Sequence, residues 1–414
     1  MKTTFKYLII TLLLIILVKK TDSCTIFYVE KEGVILAGNN EDWSNPASKM
    51  FFYPASNGKH GWVKFGWGSG FPQGGMNDQG LFWDGTSGPY LEMPISESGK
   101  TNLQIPIMQK VVEECANVEE ARKIFANYYC EDQYKAQYLV GDSNGQSVIV
   151  EGDNILDKEN DYQVLTNFYQ SNPELGGYPC WRYNKACEML GQMSKLDPNF
   201  IGSVLAHTHQ EGKYPTQYST IYDLKNGLIY LFHFHNYNEF ITINLTEELQ
   251  NGNRTYNIPD LFSMISNIST SVNKKEGETS VIFSWDGLPD SNYEVIYSFN
   301  SDFSNSHKVS FVNLNSASEK RYYGFVYLFV LLPFIKIKRR TVISFICVIL
   351  FFSLCGTACD KNEDDLPEDL KLLTHTKTVT EFETGKTYYW KIKAKTDNFS
   401  NFYSESVSQQ FICN

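Results

Sequence analysis

The residues from Cys24 to Trp43 read CTIFYVEKEGVILAGNNEDW. Cys24–Val29 and Gly33–Gly38 are strand-like, rich in β-branched and aromatic residues, and the stretch Glu30–Gly33 between them is turn-forming. A hairpin of that length returns Asp42 to the neighbourhood of Cys24. Upstream, Met1–Tyr7 carries Lys2 and Lys6, Leu8–Val18 is an unbroken apolar run, and Lys19–Ser23 is polar with Thr21 and Ser23 at positions −3 and −1. That pattern predicts a secretory signal peptide (1–23) removed before Cys24. An uncleaved N-terminal anchor is the competing reading.

Cleavage there leaves a cysteine with a free α-amine. One residue then supplies both a thiol nucleophile and a local general base, because an unperturbed α-amine titrates near roughly 7.7–8.0. The plainer alternative is the first disulfide cysteine of a secreted domain. Further on stand Gly75-Met76-Asn77-Asp78-Gln79-Gly80-Leu81 and Leu165-Thr166-Asn167-Phe168. An asparagine amide at a strand end is a suitable oxyanion donor, being neutral and fixed. The plainer reading makes Asn77 and Asn167 turn residues and Asp42 a turn cap.

The order Cys-Thr-x-Phe, Gly-x-Asn-x-Asp-Trp, Gly-Met-Asn-x-x-Gly-Leu, Thr-Asn, then Arg182-Tyr183 and Tyr218-Ser219-Thr220-x-Tyr222-Asp223, resembles the linear amide C–N hydrolases of the N-terminal-nucleophile superfamily. That group holds the choloylglycine hydrolase/penicillin V acylase branch and the acyl-coenzyme A:6-aminopenicillanate acyltransferase-like branch. The chain is more similar to the second, over about residues 24–245. The resemblance implies an α+β class with a four-layer αββα fold. It also implies Cys24 as nucleophile, Asp42 beside it, Asn167 as oxyanion donor, Asn77 and Asn40 near the oxyanion or substrate, and a small N-acyl amide as substrate. No cofactor and no metal are expected. Bile-salt hydrolases have an arginine where this chain has Asn39, and their late active-site arginine has no clear counterpart after Tyr218-Ser219. Arg182, in a helix motif, reads as structural. Bile-salt or penicillin V specificity is therefore not expected, while amide cleavage or acyl transfer is. A cysteine-dependent dipeptidase of the same superfamily is the nearest alternative. A non-catalytic surface-binding protein is the alternative from another class.

Residues 24–248 read as one unit. Helices are expected over Leu103–Ala116, from the Asn117 cap to about Tyr129, and over Cys180–Met193. Hairpin strands are expected at Gln137–Val140 with Ser147–Glu151 and at Ser219–Asp223 with Leu228–His235. Residues 249–275 are polar and read as a linker, with sequons at Asn253 and Asn267. Short strands then predict a small β-sandwich similar to a fibronectin type III domain, in two parts, 276–316 and 366–414. Residues 322–359 interrupt it. Tyr322–Ile335 and Thr341–Cys359 are apolar around the basic knot Lys336–Arg340, which reads as a membrane hairpin. A fourteen-residue helix reaches only about 21 Å, so a re-entrant hairpin is the alternative.

His207-Thr208-His209 and His233-Phe234-His235 are read as pairs of histidines on strand faces, with no carboxylate placed to complete a metal site. Gly61–Trp83, rich in Trp and Phe, is either core or the wall of an apolar acyl pocket. Composition fits a folded globular protein. The 414 residues are 42% hydrophobic and 15% aromatic, too much for a disordered chain, and the net charge of −11 with no basic stripe argues against a nucleic-acid partner.

Overall fold

The computed structural model describes residues 24–68, 72–88, 95–275, 278–289, 291–311, 372–380, 382–395 and 402–413. The expected signal peptide and the expected membrane hairpin lie outside these residues. No helix among the described residues is long and apolar enough to cross a membrane.

The chain opens with the expected hairpin, β1 (Thr25–Lys31) and β2 (Val34–Asp42), reversed through Glu32 and Gly33, both at positive φ. Five more strands follow: β3 (Lys49–Tyr53), β4 (Trp62–Gly66), β5 (Gly74–Asn77), β6 (Phe82–Ser87) and the two-residue β7 (Thr101–Asn102). Helix α1 (Ile107–Glu114) is shorter than expected. Helix α2 (Val118–Asn127) is capped as the sequence indicates, Asn117 Oδ1 accepting the N–H of Glu120 at 3.0 Å. Next come β8 (Tyr128–Tyr129), β9 (Ala136–Gly141), β10 (Ser147–Glu151), β11 (Asn154–Asp157) and β12 (Tyr162–Leu165). Helices α3 (Trp181–Gly191) and α4 (Pro198–Thr208) then precede β13 (Thr216–Asp223), β14 (Leu228–His233) and β15 (Asn236–Asn244). Helix α4 was not expected. It starts on an Asp197 cap with Pro198 in its first turn, and its last turn takes up His207 and Thr208, which therefore do not lie on a strand.

Two large sheets result. One runs β12-β1-β2-β13-β14-β15 and onward, the other β11-β10-β9-β6-β5-β4-β3. Apart from the pair β7–β8 the pairings are antiparallel, which makes the class α+β. Strand alternation sorts the side chains into three cores. Ile26, Tyr28, Ala37, Phe52, Val63, Phe65, Met76 and Phe82 form one cluster shared by both sheets. Trp62, Trp83, Tyr138 and Val140, on the opposite face of the second sheet, pack with Ile107, Val111 and Phe125 of α1 and α2. Phe27, Val29, Leu36 and Ile221, on the opposite face of the first sheet, pack with Ala186, Leu190, Ile201 and Leu205 of α3 and α4. Both faces of β1 are thus buried, in keeping with its apolar run Ile26–Val29.

The expected linker is structured instead. After the short helix α5 (Leu245–Leu249), β16 (Arg254–Asn257) adds to β3 at the edge of the second sheet, and β17 (Ser266–Lys275) pairs with β18 (Glu278–Gly287). A polar composition misled here because β17 is an edge strand whose residues alternate between exposed and half-buried. The remaining strands are β19 (Asn292–Ser298), β20 (His307–Phe311), β21 (Leu373–Val379), β22 (Thr387–Lys395), β23 (Ser404–Ser406) and β24 (Gln409–Ile412). Strands from the two sides of residues 312–371 pair directly, β18 with β21 and β19 with β22, around Phe283, Trp285, Tyr297, Trp390 and Phe411. Strand β23 also pairs with β15, so this part joins the first sheet edge to edge. At the joint the buried carboxylate of Glu239 accepts the N–H groups of Ser263 (2.7 Å) and Ile265 (2.8 Å).

Candidate active site

Arg182 lies in the first turn of α3, which packs across β12 and β1. Its guanidinium is buried, with 1% of the side chain exposed. Nη1 donates to the Cys24 carbonyl (2.9 Å), Thr25 Oγ1 (3.3 Å) and Asp42 Oδ2 (3.3 Å), and Nη2 donates to Asn167 Oδ1 (3.1 Å). One side chain thus gathers three of the residues singled out in the sequence. A helix motif gave no hint of an inward fork, and only packing of α3 on β1 turns it there. A planar five-donor group suits this junction in a way that a lysine does not.

Each gathered residue is held from a second side. Asp42 Oδ1 accepts the Thr216 hydroxyl at 2.5 Å, where an irregularity between Thr216 and Tyr218 offsets β13 against β2. The Asn167 amide donates to Thr86 Oγ1 (2.6 Å) and to the Ser87 carbonyl (2.7 Å), tying the end of β12 to the end of β6 across the two sheets. Thr86 and Ser87 escaped the sequence reading. Their signal was their place directly after Trp83-Asp84-Gly85, at the end of a strand. A cavity of about 300 Å³ opens beside them, lined also by Gln73, Gly85, Glu131, Asp132, Lys135 and Ala136. A larger hollow of about 650 Å³ around Tyr53, Lys59, His60 and Glu113 shares no residue with the Arg182 junction.

The Cys24 thiol is buried and in no disulfide. Burial pushes it well above the ordinary thiol range, and the charges of Glu41 and Asp42 push the same way against the N–H of Asp42. Extending the β1–β2 register by one residue places Cys24 beside Glu41. Burial lifts the Glu41 carboxyl to about 8, hydrogen bonding with Cys24 opposes this, and Asp42 adds to it.

Two expected site residues lie elsewhere. Asn40 pairs with Thr25 on the face of the first sheet that α4 covers. Its amide donates to the Leu205 carbonyl (3.0 Å) and Thr208 Oγ1 (3.2 Å), and its oxygen accepts from Ser219 (2.6 Å) and Tyr237 (3.2 Å). Asn77 follows the inward-facing Met76 and so points outward. It donates to the Val112 and Cys115 carbonyls and accepts from the N–H groups of Gln79 and Leu81, which uses all four of its hydrogen-bonding positions. Both side chains are engaged with helices and are not gathered at the Arg182 junction, because alternation along a strand sends neighbours to opposite faces.

The histidine reading is corrected as well. Glu211 stands with His209 and His235, their ligand atoms within 4.8 Å of one another, so a carboxylate does complete a three-donor set. It sits at the end of α4, away from Cys24. The Gly61–Trp83 aromatics divide by alternation, Phe65 and Phe82 between the sheets, Trp62 and Trp83 toward α1 and α2.

No family model matches the chain, and no curated protein matches it. Among solved structures it is similar to a variant of conjugated bile acid hydrolase from Clostridium perfringens, at 19% identity over 56% of this chain and 97% of that one, with a TM-score of 0.47. A second mutant of that hydrolase matches at 20% identity over 56% and 96%, TM-score 0.46. Penicillin V acylase from Agrobacterium tumefaciens matches at 17% over 51% and 82%, TM-score 0.42.

Proposed function

We propose that this chain is an exported cysteine hydrolase of the N-terminal-nucleophile type, with a four-layer αββα domain. It would cleave the linear amide bond of a small N-acyl substrate, or transfer the acyl group, through a thioester on Cys24. The observation that carries the reading is the Arg182 junction, because it joins the Cys24 carbonyl, Asp42 and Asn167 in one buried group. The strands after residue 265 are read as the fibronectin type III-like sandwich, and residues 322–359 as its membrane-associated insertion.

Before cleavage the nitrogen of Cys24 is a peptide nitrogen, and burial together with the acidic groups beside it holds the thiol protonated. Removal of residues 1–23 places an α-ammonium on the same residue, which lowers the thiol and supplies the proton carrier. The thiolate then attacks the amide carbonyl. Asn167 exchanges its Ser87 bond for the tetrahedral oxyanion, and the α-ammonium protonates the leaving amine. Water or a second amine resolves the thioester. Arg182 and Asp42 keep the Cys24 backbone in position.

The test is the N-terminal residue of protein recovered from its host, read by intact mass, with turnover of a set of N-acyl amides and dipeptides. The proposal expects a start at Cys24, cleavage of N-acyl amides in preference to dipeptides, and complete loss of turnover in a folded Cys24→Ala variant. A start at another residue, or turnover that survives Cys24→Ala, overturns it.

A further inference from the structure

The space that Cys24 faces is not uniformly apolar. Cys24, Ile26 and Tyr28 of the first hairpin belong to the cluster between the sheets. Asn39 pairs with Ile26 and shares its face, as does Glu41 one step further on. On the other side of β2, Tyr218 pairs with Glu41 and Thr220 with Asn39. From the second sheet, Asp84 alternates with Trp83 and projects on the side of Phe82. Tyr222, two residues past Thr220, shares that face, so two buried carboxyl groups and two buried tyrosines converge on the side of the sheet that Cys24 faces.

Part of this patch is internally tied. Asn39 donates to Glu41 Oε2 at 3.3 Å and accepts the Thr220 hydroxyl at 2.5 Å. The rest is not. Both carboxyl oxygens of Asp84 and the hydroxyls of Tyr218 and Tyr222 are buried and make no hydrogen bond of normal geometry, although Asn39 and the Gly85 N–H approach Asp84 and Thr220 approaches Tyr222. Buried polar groups are nearly always satisfied, so four orphans side by side call for something that fills them. No basic side chain among the described residues makes an ion pair with Glu41 or Asp84. The Arg182 guanidinium is committed to Asp42, Asn167 and the backbone of Cys24. Gly74, opposite Asp84, leaves the room its carboxyl needs, since any Cβ there would collide with Oδ2.

Aromatic rings surround the acids. Phe65 lies 5.8 Å from Tyr218, and Phe82 lies 4.9 Å from Tyr222, centroid to centroid. Acid groups set among π faces are the environment that attracts an organic cation.

Resting on the proposed function, we infer that this patch is the acyl-side specificity site and that it takes an acyl chain carrying a primary ammonium, held by Glu41 and Asp84 and faced by Tyr218 and Tyr222. The thioester forms on the Cys24 sulfur, and the sulfur faces the patch, so the acyl portion lies against it. An alkyl chain alone leaves the orphaned oxygens unfilled, and an anionic head finds no basic side chain there to pair with. The direction of the titration shifts agrees. Burial raises Asp84, and the charge of Glu41 raises it further, with Asn39 and the N–H of Gly85 opposing. Such a pair gains most from a cation brought in by a ligand.

The experiment compares 6-aminohexanoyl-4-nitroanilide with heptanoyl-4-nitroanilide, which differ by an ammonium in place of a methyl, using protein that begins at Cys24. The expected result is a kcat/KM at least tenfold higher for the ammonium substrate. Asp84→Asn and, independently, Glu41→Gln should each bring that ratio toward one, with folding verified for each by thermal midpoint. A ratio of one or below in the wild type overturns the inference, and so does an unchanged ratio in both folded variants. If neither anilide is cleaved, the proposed chemistry fails and binding decides the inference separately. Titration calorimetry on Cys24→Ala should then show 6-aminohexanamide binding at least tenfold more tightly than heptanamide. Equal or weaker binding of the ammonium compound overturns it.

Discussion

Replacing Arg182 with alanine strikes the junction on which the site rests. The side chain is 1% exposed and its partner Asp42 0%. Truncation would remove the buried guanidinium that faces this carboxylate, and breaking a buried ion pair costs about 3–5 kcal/mol. The carbonyl of Cys24 and the amide oxygen of Asn167 would also lose charged donors, each a loss of about 1–3 kcal/mol when nothing replaces it. These terms share one group and do not add, so a loss of about 4–6 kcal/mol is expected, a large part of a typical domain's stability. Arg182→Lys keeps the charge but not the fork that spans Nη1 and Nη2. It should recover part of the stability and little of the turnover. Urea unfolding followed by circular dichroism, on protein that begins at Cys24, measures the first quantity, and amide turnover the second. A loss below about 1 kcal/mol in Arg182→Ala, or an Arg182→Lys variant equal to wild type in both measurements, would refute the reasoning.

Asn167→Ala should lower kcat by about 10²–10³-fold, the usual effect of removing one oxyanion donor, with a smaller change in KM; steady-state kinetics on any cleaved amide gives both. Glu41 carries a carboxyl pushed up by burial from 4.5 to about 8, so the unfolded chain ionises first. Its contribution to stability is complete below about 4.5 and is lost as pH rises through about 8. Glu41→Gln should therefore flatten the decline of the thermal midpoint across that window. Glu239→Ala removes an acceptor from the N–H groups of Ser263 and Ile265 and should cost about 2–4 kcal/mol. Limited proteolysis should then cut around residues 258–265 before the β1–β2 hairpin is lost, whereas unchanged cleavage would count against the joint.

The β1–β2 hairpin, the Asn117 cap, the β9–β10 pair and β22 were legible because each depends on neighbours a few residues apart. Alternation, turn residues and capping oxygens act at that range. Helix α4 was missed although Asp197-Pro198 announced it, since the reading placed His207 and His209 on a strand. The polar text of β17 hid a strand that owes its pairing to β18 rather than to its own propensity.

The candidate site divides along the same line. A cysteine after an apolar N-terminal run, an acid at the return of a hairpin and an asparagine at a strand end are local features, and Cys24, Asp42 and Asn167 could be singled out from them. Which face each residue presents depends on the register between strands and on which layer covers them. Asn40 and Asn77 turned outward to helices for that reason, while Asn39, Glu41 and Asp84 turned toward the sulfur. Arg182 lies 158 residues from Cys24, and only the packing of α3 on β1 brings its charge to the Cys24 carbonyl. Sequence determined the chemical groups and their local turns; tertiary packing decided which of them meet, because burial and strand register are properties of the assembled layers.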